Sequence, residues 1–235
     1  MSIFEVSNWR KDRVFYTLPK DKLKLDFNQE LFDSSYWKDF QKIKCATWDR
    51  HRASLADTIM QTIYSLVRKT QPSIIVETGV ATGSTTFAFL TALKKNGKGK
   101  LISIEPNTNQ KNFIMFVPKE LQDCWDLRVG LSENILPTVI EPIDIFMHDS
   151  LHTYDHMYFE YEWALWNLRE GGWILSHDIG HNNSFFDFVK KHNLKWYLVE
   201  TAAPARFGLG VADVGIDNPK TMFFNLFSFT IAIIK

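Results

Sequence analysis

Cysteine is scarce in this sequence: Cys45 and Cys124 are the only two among 235 residues. Two thiols build neither a disulfide framework nor a four-cysteine zinc site, and they suit a reducing compartment. No sign of charge is in excess, with 27 basic residues against 27 acidic ones. The general electrostatic case for nucleic acid or an anionic membrane as partner is thereby removed. Long hydrophobic runs are missing too. The most apolar tract, Met222 to Ile234, covers 13 residues and contains Asn225 and Ser228, against about 20 apolar residues for a membrane helix. The opening MSIFEVSNWRKDR has no uninterrupted apolar stretch of the kind a secretory signal needs. The expectation is a soluble, cytoplasmic protein. What is present is core-forming material: 45% apolar residues and 14% aromatics, ample for one large domain.

The first 50 residues show no long clean period, although Asp33-Ser34-Ser35 can cap a short helix through Tyr36, Trp37 and Phe40. Apolar residues at Leu55, Ile59, Ile63, Leu66 and Val67 fall at helical spacing, and Gln71-Pro72 ends that helix. From residue 73 strands and helices alternate. Strands are expected at 73–79, 101–105, 127–130, 143–149, 173–177, 195–200 and 227–234. Helices are expected over 84–93, 110–116, 155–169 (closed by Gly171-Gly172) and 184–192, with 203–218 as a loop or substrate-side flap. The pattern predicts an α/β fold with a doubly wound, mostly parallel sheet. Residues 1–54 form an N-terminal helical extension, a lid or a dimer contact, and 55–235 the main domain.

The turn after the first strand reads Glu77-Thr-Gly79-Val-Ala-Thr-Gly83-Ser84. In open α/β sheets this turn lies at the carboxyl edge, where ligands bind, and its glycines admit close backbone approach. The spacing is neither G-x-G-x-x-G nor G-x-x-x-x-G-K-[ST], so the dinucleotide fingerprint and the phosphate-cradling loop are both missing, and a nicotinamide dehydrogenase with them. An acid beside the turn disfavours a pyrophosphate and welcomes a cationic amino-acid group. Glu105, ending the second strand, is placed to accept hydrogen bonds from ribose hydroxyls.

IIVETGVATGSTT followed by LISIEP resembles the first and second motifs of class I S-adenosylmethionine-dependent methyltransferases. IDIFMHDSLHTYDHM resembles the I-D-x-x-F-I-D-G-D-H-S-Y segment of a subgroup of that family. That subgroup holds catechol-type and macrolide-sugar O-methyltransferases and cephalosporin hydroxylase-like proteins. The resemblance covers roughly residues 55 to 235. It implies a Rossmann-like, seven-stranded sheet ending in an antiparallel strand, S-adenosylmethionine as cofactor, and a hydroxyl of a small molecule as methyl acceptor. The implied cofactor contacts are Glu77, Gly79, Gly83 and Ser84 on the methionine side, Glu105 on the ribose, Ser132 on the adenine side, and Asp149.

Five of the seven histidines, His148, His152, His156, His177 and His181, lie within 34 residues, with Asp149 and Asp178 at strand ends. Carboxyl ends of neighbouring strands lie about 5 Å apart, where two carboxylates repel unless a proton or cation sits between them. The resemblance makes Asp149, His177 and Asp178 a divalent-metal set, magnesium or manganese ahead of iron or zinc. His177 departs from the family's usual aspartate and draws the set toward softer ions. It also makes His152 the general base, a role that suits an imidazole titrating near neutral pH. Alternation along the strand turns His148 to the opposite face from Asp149. His156 reads as a helix-start residue, and Tyr154 as a substrate-edge residue. The aromatic set Tyr158, Phe159, Tyr161, Trp163 and Trp166 reads as packing, and Trp48, Asp49 and Arg50 as neighbours of the methyl donor. Two other readings use the same scaffold: a hydroxylase-like iron enzyme and a non-catalytic cofactor-binding module.

Overall fold

A computed structural model describes residues 28–38, 40, 50–81, 83–106, 117–199, 209–213 and 232–234. The expected helix at 110–116, Trp48 and Asp49, and most of the 203–218 segment lie outside the described residues. Elements in chain order are α1 (Asn28–Asp33), α2 (Arg50–Thr70), β1 (Ile74–Thr78), α3 (Ser84–Asn96), β2 (Lys100–Glu105), β3 (Trp125–Val129), α4 (Ser132–Ile135), β4 (Ile143–His148), α5 (Tyr154–Asn167), β5 (Leu168–Ser176), α6 (Ser184–Lys191), β6 (Lys195–Val199), β7 (Leu209–Asp213) and β8 (Ala232–Ile234). Five strands run parallel in the order β3-β2-β1-β4-β5.

The order places β1 at the centre, and its IIVET sequence is buried along its whole length. A strand covered on both faces has no need of polar alternation, and its odd and even residues go to different helical layers. Ile75, Leu101, Ile145, Met147 and Leu175 face the layer that contains α2 and α3. Ile74, Val76, Ile102, Ile104, Phe146 and Ile174 face the layer of α5 and α6. The two layers are the two halves of the core.

The last strands complete the sheet. β8 lies antiparallel to both β5 and β6, with Ile234 opposite Ile174 on one and Trp196 on the other. β7 falls inside the segment expected as a loop and makes the sheet eight-stranded rather than seven-stranded. Its Leu-Gly-Val-Ala-Asp run carries strand-forming Val211, which the surrounding glycines and prolines obscured. The Gly171-Gly172 pair also differs from expectation: it lies within β5. Pairing with β4 passes from Ile143–Leu168 to Ile145–Trp173, so a bulge absorbs the glycines, with Gly171 at φ +76°.

Leu31 and Phe40 are buried, and the Phe40 ring stacks on Phe87 of α3 at 4.4 Å. Ser34 caps the next turn by accepting from the Trp37 amide, as its position predicted. α2 runs straight across the expected boundary at residues 54 and 55. Among the described residues no helix is long and apolar enough to cross a membrane.

Candidate functional site

The carboxyl ends of β1, β2, β4 and β5 converge on one edge, where the strand order reverses between β1 and β4. The turn after β1 is held there by backbone. Gly79 donates its amide to the Ile104 carbonyl, and Asp149 donates to Thr78, so both parallel ladders run on past the strands. Gly79 has φ +80°, and a Cβ on it would overlap the carbonyl oxygen of Asp149. Close approach of β4 therefore explains this glycine. Gly83, at φ +81°, precedes the first residue of α3 and adds no side chain over that helix start, which begins at Ser84. Ala81 between them also sits in the left-handed region, at φ +44°, a strain that fixed turns at functional sites carry.

Two of the expected cofactor acids are placed differently from each other. Glu105 is at the rim. Its Oε2 accepts from the amides of Val80 and Ala81 at 3.0 and 3.3 Å, so it braces the turn. Glu77, expected to contact the methionine group, is buried instead of standing at the rim. Strand alternation puts it on the α3 side with Ile75, fully buried, where Thr85, Thr86 and Ser103 donate to its carboxylate at 2.5, 2.7 and 2.8 Å. The indole of Trp125 in turn donates to Ser103. Burial pushes the Glu77 carboxyl up to about 7, partly opposed by the three hydroxyls.

That shift has a measurable sign. A carboxyl raised on folding contributes stability that is complete below its unfolded value of 4.5 and is lost as pH rises through about 7. Stability is expected to fall by roughly 3 kcal/mol from this group between pH 4.5 and 8. In Glu77→Gln, urea melts at pH 5, 7 and 8 are expected to lose that slope. An unchanged slope in the variant would assign the pH dependence to another group.

On the other side of the edge lies the histidine–carboxylate cluster. His177 Nδ1 is 2.9 Å from Asp149 Oδ1 and 3.2 Å from Asp178 Oδ1. His152 Nε2 is 3.7 Å from both Asp149 Oδ1 and Asp178 Oδ2, and His181 Nε2 is 3.5 Å from Asp178 Oδ2. Burial lowers the affinity of His177 for a proton, yet Asp149 and Asp178 outweigh it and raise its pKa to about 9. Burial likewise works to raise Asp149, but the His177 charge and His152 hold it well below the usual carboxylate range. Asp178 reaches the cluster from a left-handed backbone, φ +55°.

The cluster fits a cation on its own chemistry. Asp149, His152 and His177 each offer one ligand atom, and the three atoms lie within 4.8 Å of one another. His152 Nε2 and Asp178 Oδ1 are buried and make no hydrogen bond, an arrangement that costs free energy until a partner fills it. Asp149 and His177 of the expected metal set fall in this group with His152, expected as a base, while Asp178 lies beside them, 3.2 Å from His177.

Behind the cluster lies a carboxylate not anticipated from the sequence. Glu160 of α5, fully buried, accepts from Thr78 Oγ1 at 2.6 Å and Ser150 Oγ at 2.9 Å, and contacts His148 Nδ1 at 2.6 Å and His156 Nε2 at 2.9 Å. His156 also meets Ser132 Oγ at 3.1 Å. Ser132, expected on the adenine side, is therefore buried and tied into this network. The signal available in the sequence was the i, i+4 pair His156–Glu160 on one helix face. Tyr154 hydrogen-bonds Asp187 and stacks on Tyr158, so its hydroxyl is directed to α6.

Residues 76–179, the stretch from β1 to the loop after β5, match the family model described as a methyltransferase domain. This part of the chain resembles a methyltransferase domain. No curated protein matches the chain in sequence. Among solved structures, the O-methyltransferase TomG from Streptomyces achromogenes, in complex with S-adenosylmethionine and involved in tomaymycin synthesis, superposes with a TM-score of 0.59 at 14% identity, over 93% of this chain and 99% of that one. The O-methyltransferase from Bacillus cereus, in complex with S-adenosylhomocysteine, gives 0.57 at 16% identity over 89% and 97%. The S-adenosylhomocysteine-bound methyltransferase PaMTH1 from Podospora anserina gives 0.55 at 12% identity over 94% and 98%. The chain shares the fold of these methyltransferases, the class I fold that the motifs implied.

Proposed function

We propose that this methyltransferase moves a methyl group from S-adenosylmethionine to a hydroxyl of a small molecule. The observation that carries the reading is the pairing, on one sheet edge, of the strained turn after β1 with the histidine–carboxylate cluster at the ends of the adjacent β4 and of β5 beyond it. One side holds a donor and the other can take a proton. The likeness in fold to O-methyltransferases crystallised with the cofactor or its product supports the same reading.

S-adenosylmethionine, when bound, supplies an electrophilic methyl on a sulfonium. In this chain the start of α3 at Gly83 and Ser84 presents backbone amides suited to the methionine carboxylate. Glu105 accepts from the ribose hydroxyls at the rim, and the Ser132 loop borders the adenine side. In a cation-free site His152, flanked by Asp149 and Asp178, takes the acceptor's proton as the new C–O bond forms and the C–S bond breaks. The rest of the rate comes from holding acceptor oxygen and methyl in line. A second, metal-assisted reading is favoured by the buried ligand atoms of the cluster. There Asp149, His177 and Asp178 would hold a divalent cation whose Lewis acidity lowers the pKa of a hydroxyl.

Calorimetry with S-adenosylhomocysteine tests the donor site. Micromolar binding is expected for the wild type, weakened about tenfold in Glu105→Ala by loss of the carboxylate's hydrogen bonds. Absence of binding to the wild type would overturn the assignment.

A further inference from the structure

We infer that the cluster is a centre for a borderline transition ion such as zinc, iron(II) or cobalt, rather than magnesium, and that His152 is one of its ligands. This rests on the methyltransferase reading above for the site's purpose, but its geometry stands separately. Two ligand atoms each about 2.1 Å from a shared ion lie about 3.0–3.4 Å apart at octahedral or tetrahedral angles. The separations around Asp149 Oδ1 and the Asp178 oxygens run from 2.9 to 3.7 Å, bracketing that range. His152 Nε2 stands 3.7 Å from both Asp149 Oδ1 and Asp178 Oδ2, buried and with no hydrogen bond. That separation is slightly wider than the tetrahedral value and leaves room for an ion shared with its neighbours.

The donor set decides the class of ion. Magnesium prefers an all-oxygen octahedron and keeps several waters. Here His152 and His177 bring two imidazole nitrogens to two carboxylates, a set that favours later divalent transition ions. Asp178 keeps its carboxylate there at the cost of a left-handed backbone, φ +55°. In the loaded site His152 has no lone pair left for a proton. That role passes to His181, the more exposed imidazole of the cluster, whose ring lies 5.1 Å from that of His152.

The test uses the full chain, freed of metal and titrated separately with cobalt(II), zinc and magnesium, with S-adenosylhomocysteine binding measured on the same samples. One equivalent of cobalt is expected, with visible d–d bands showing nitrogen ligation, zinc competing for it and millimolar magnesium not. His152→Ala is expected to weaken cobalt at least tenfold and to change the bands, as is Asp149→Asn, while Lys94→Ala, remote from the cluster, changes neither. Cobalt binding indifferent to His152→Ala would overturn its place as a ligand. Magnesium binding as tightly as cobalt would overturn the selectivity. No metal binding beside intact S-adenosylhomocysteine binding would overturn the centre and leave the methyltransferase reading standing; loss of both would sink that reading as well.

Discussion

Glu160→Ala is expected to cost about 4 kcal/mol of stability, because it removes one partner from a buried ionic network and strands the others. The expectation follows from how many groups depend on one side chain. Its carboxylate binds the end of β1 through Thr78, the end of β4 through His148, the loop after β4 through Ser150, and its own helix through His156. His148, with no exposed surface, already has one ring nitrogen without a hydrogen bond, and truncation takes the partner of the other. Burial would raise the Glu160 carboxyl, yet His148 and the other donors hold it well below the usual range, so the group is ionised in the folded protein. Glu160→Gln keeps the volume but removes the charge that matches His148 and His156, and an intermediate loss is expected. Urea denaturation of the three proteins gives the numbers. A loss under 1 kcal/mol for alanine would mean that water or a shifted side chain replaces the network.

The order of elements was legible because it rests on patterns of short range. Apolar runs bounded on one side by glycine or proline gave β1, β2, β4 and the end of β5, and helical spacing gave α2, α3 and α6. The edge at which the site lies followed from topology alone. What was hidden depended on which face a strand residue takes once both faces are covered. Glu77 and Thr78 are neighbours in sequence, yet one is buried under α3 and the other hydrogen-bonds α5. Nothing in an unbroken apolar strand tells which residue turns to which layer. Glu160 was hidden for a related reason: an acid among aromatics on a helix reads as solvent-facing until its partners are known, and all but His156 are 10 to 82 positions away. The cluster itself was visible as composition. Its geometry, with His152 level with both aspartates, needed the parallel β4–β5 register that sets His148 beside Ser176.

Gly79→Ala is expected to disrupt stability and site together, and by a comparable amount, about 4 kcal/mol. Two terms add. A left-handed backbone costs an L-residue about 1–2 kcal/mol. Overpacking a tight contact costs about 1–3 kcal/mol more. The second is not relieved by a side-chain rotation, since the added Cβ meets backbone, the carbonyl of Asp149 and the amide nitrogen of Ser150. Relief requires β4 to move away from β1 at their carboxyl ends, and that breaks the bond from the Asp149 amide to Thr78. The first residue displaced is Asp149, whose carboxylate holds His177 at 2.9 Å. Folded Gly79→Ala is therefore expected to bind cobalt at least tenfold more weakly than the wild type, with S-adenosylhomocysteine binding reduced as well. A variant that melts like the wild type and keeps both affinities would show that the two strand ends part without cost, and that the glycine answers to the cofactor's approach instead of to β4.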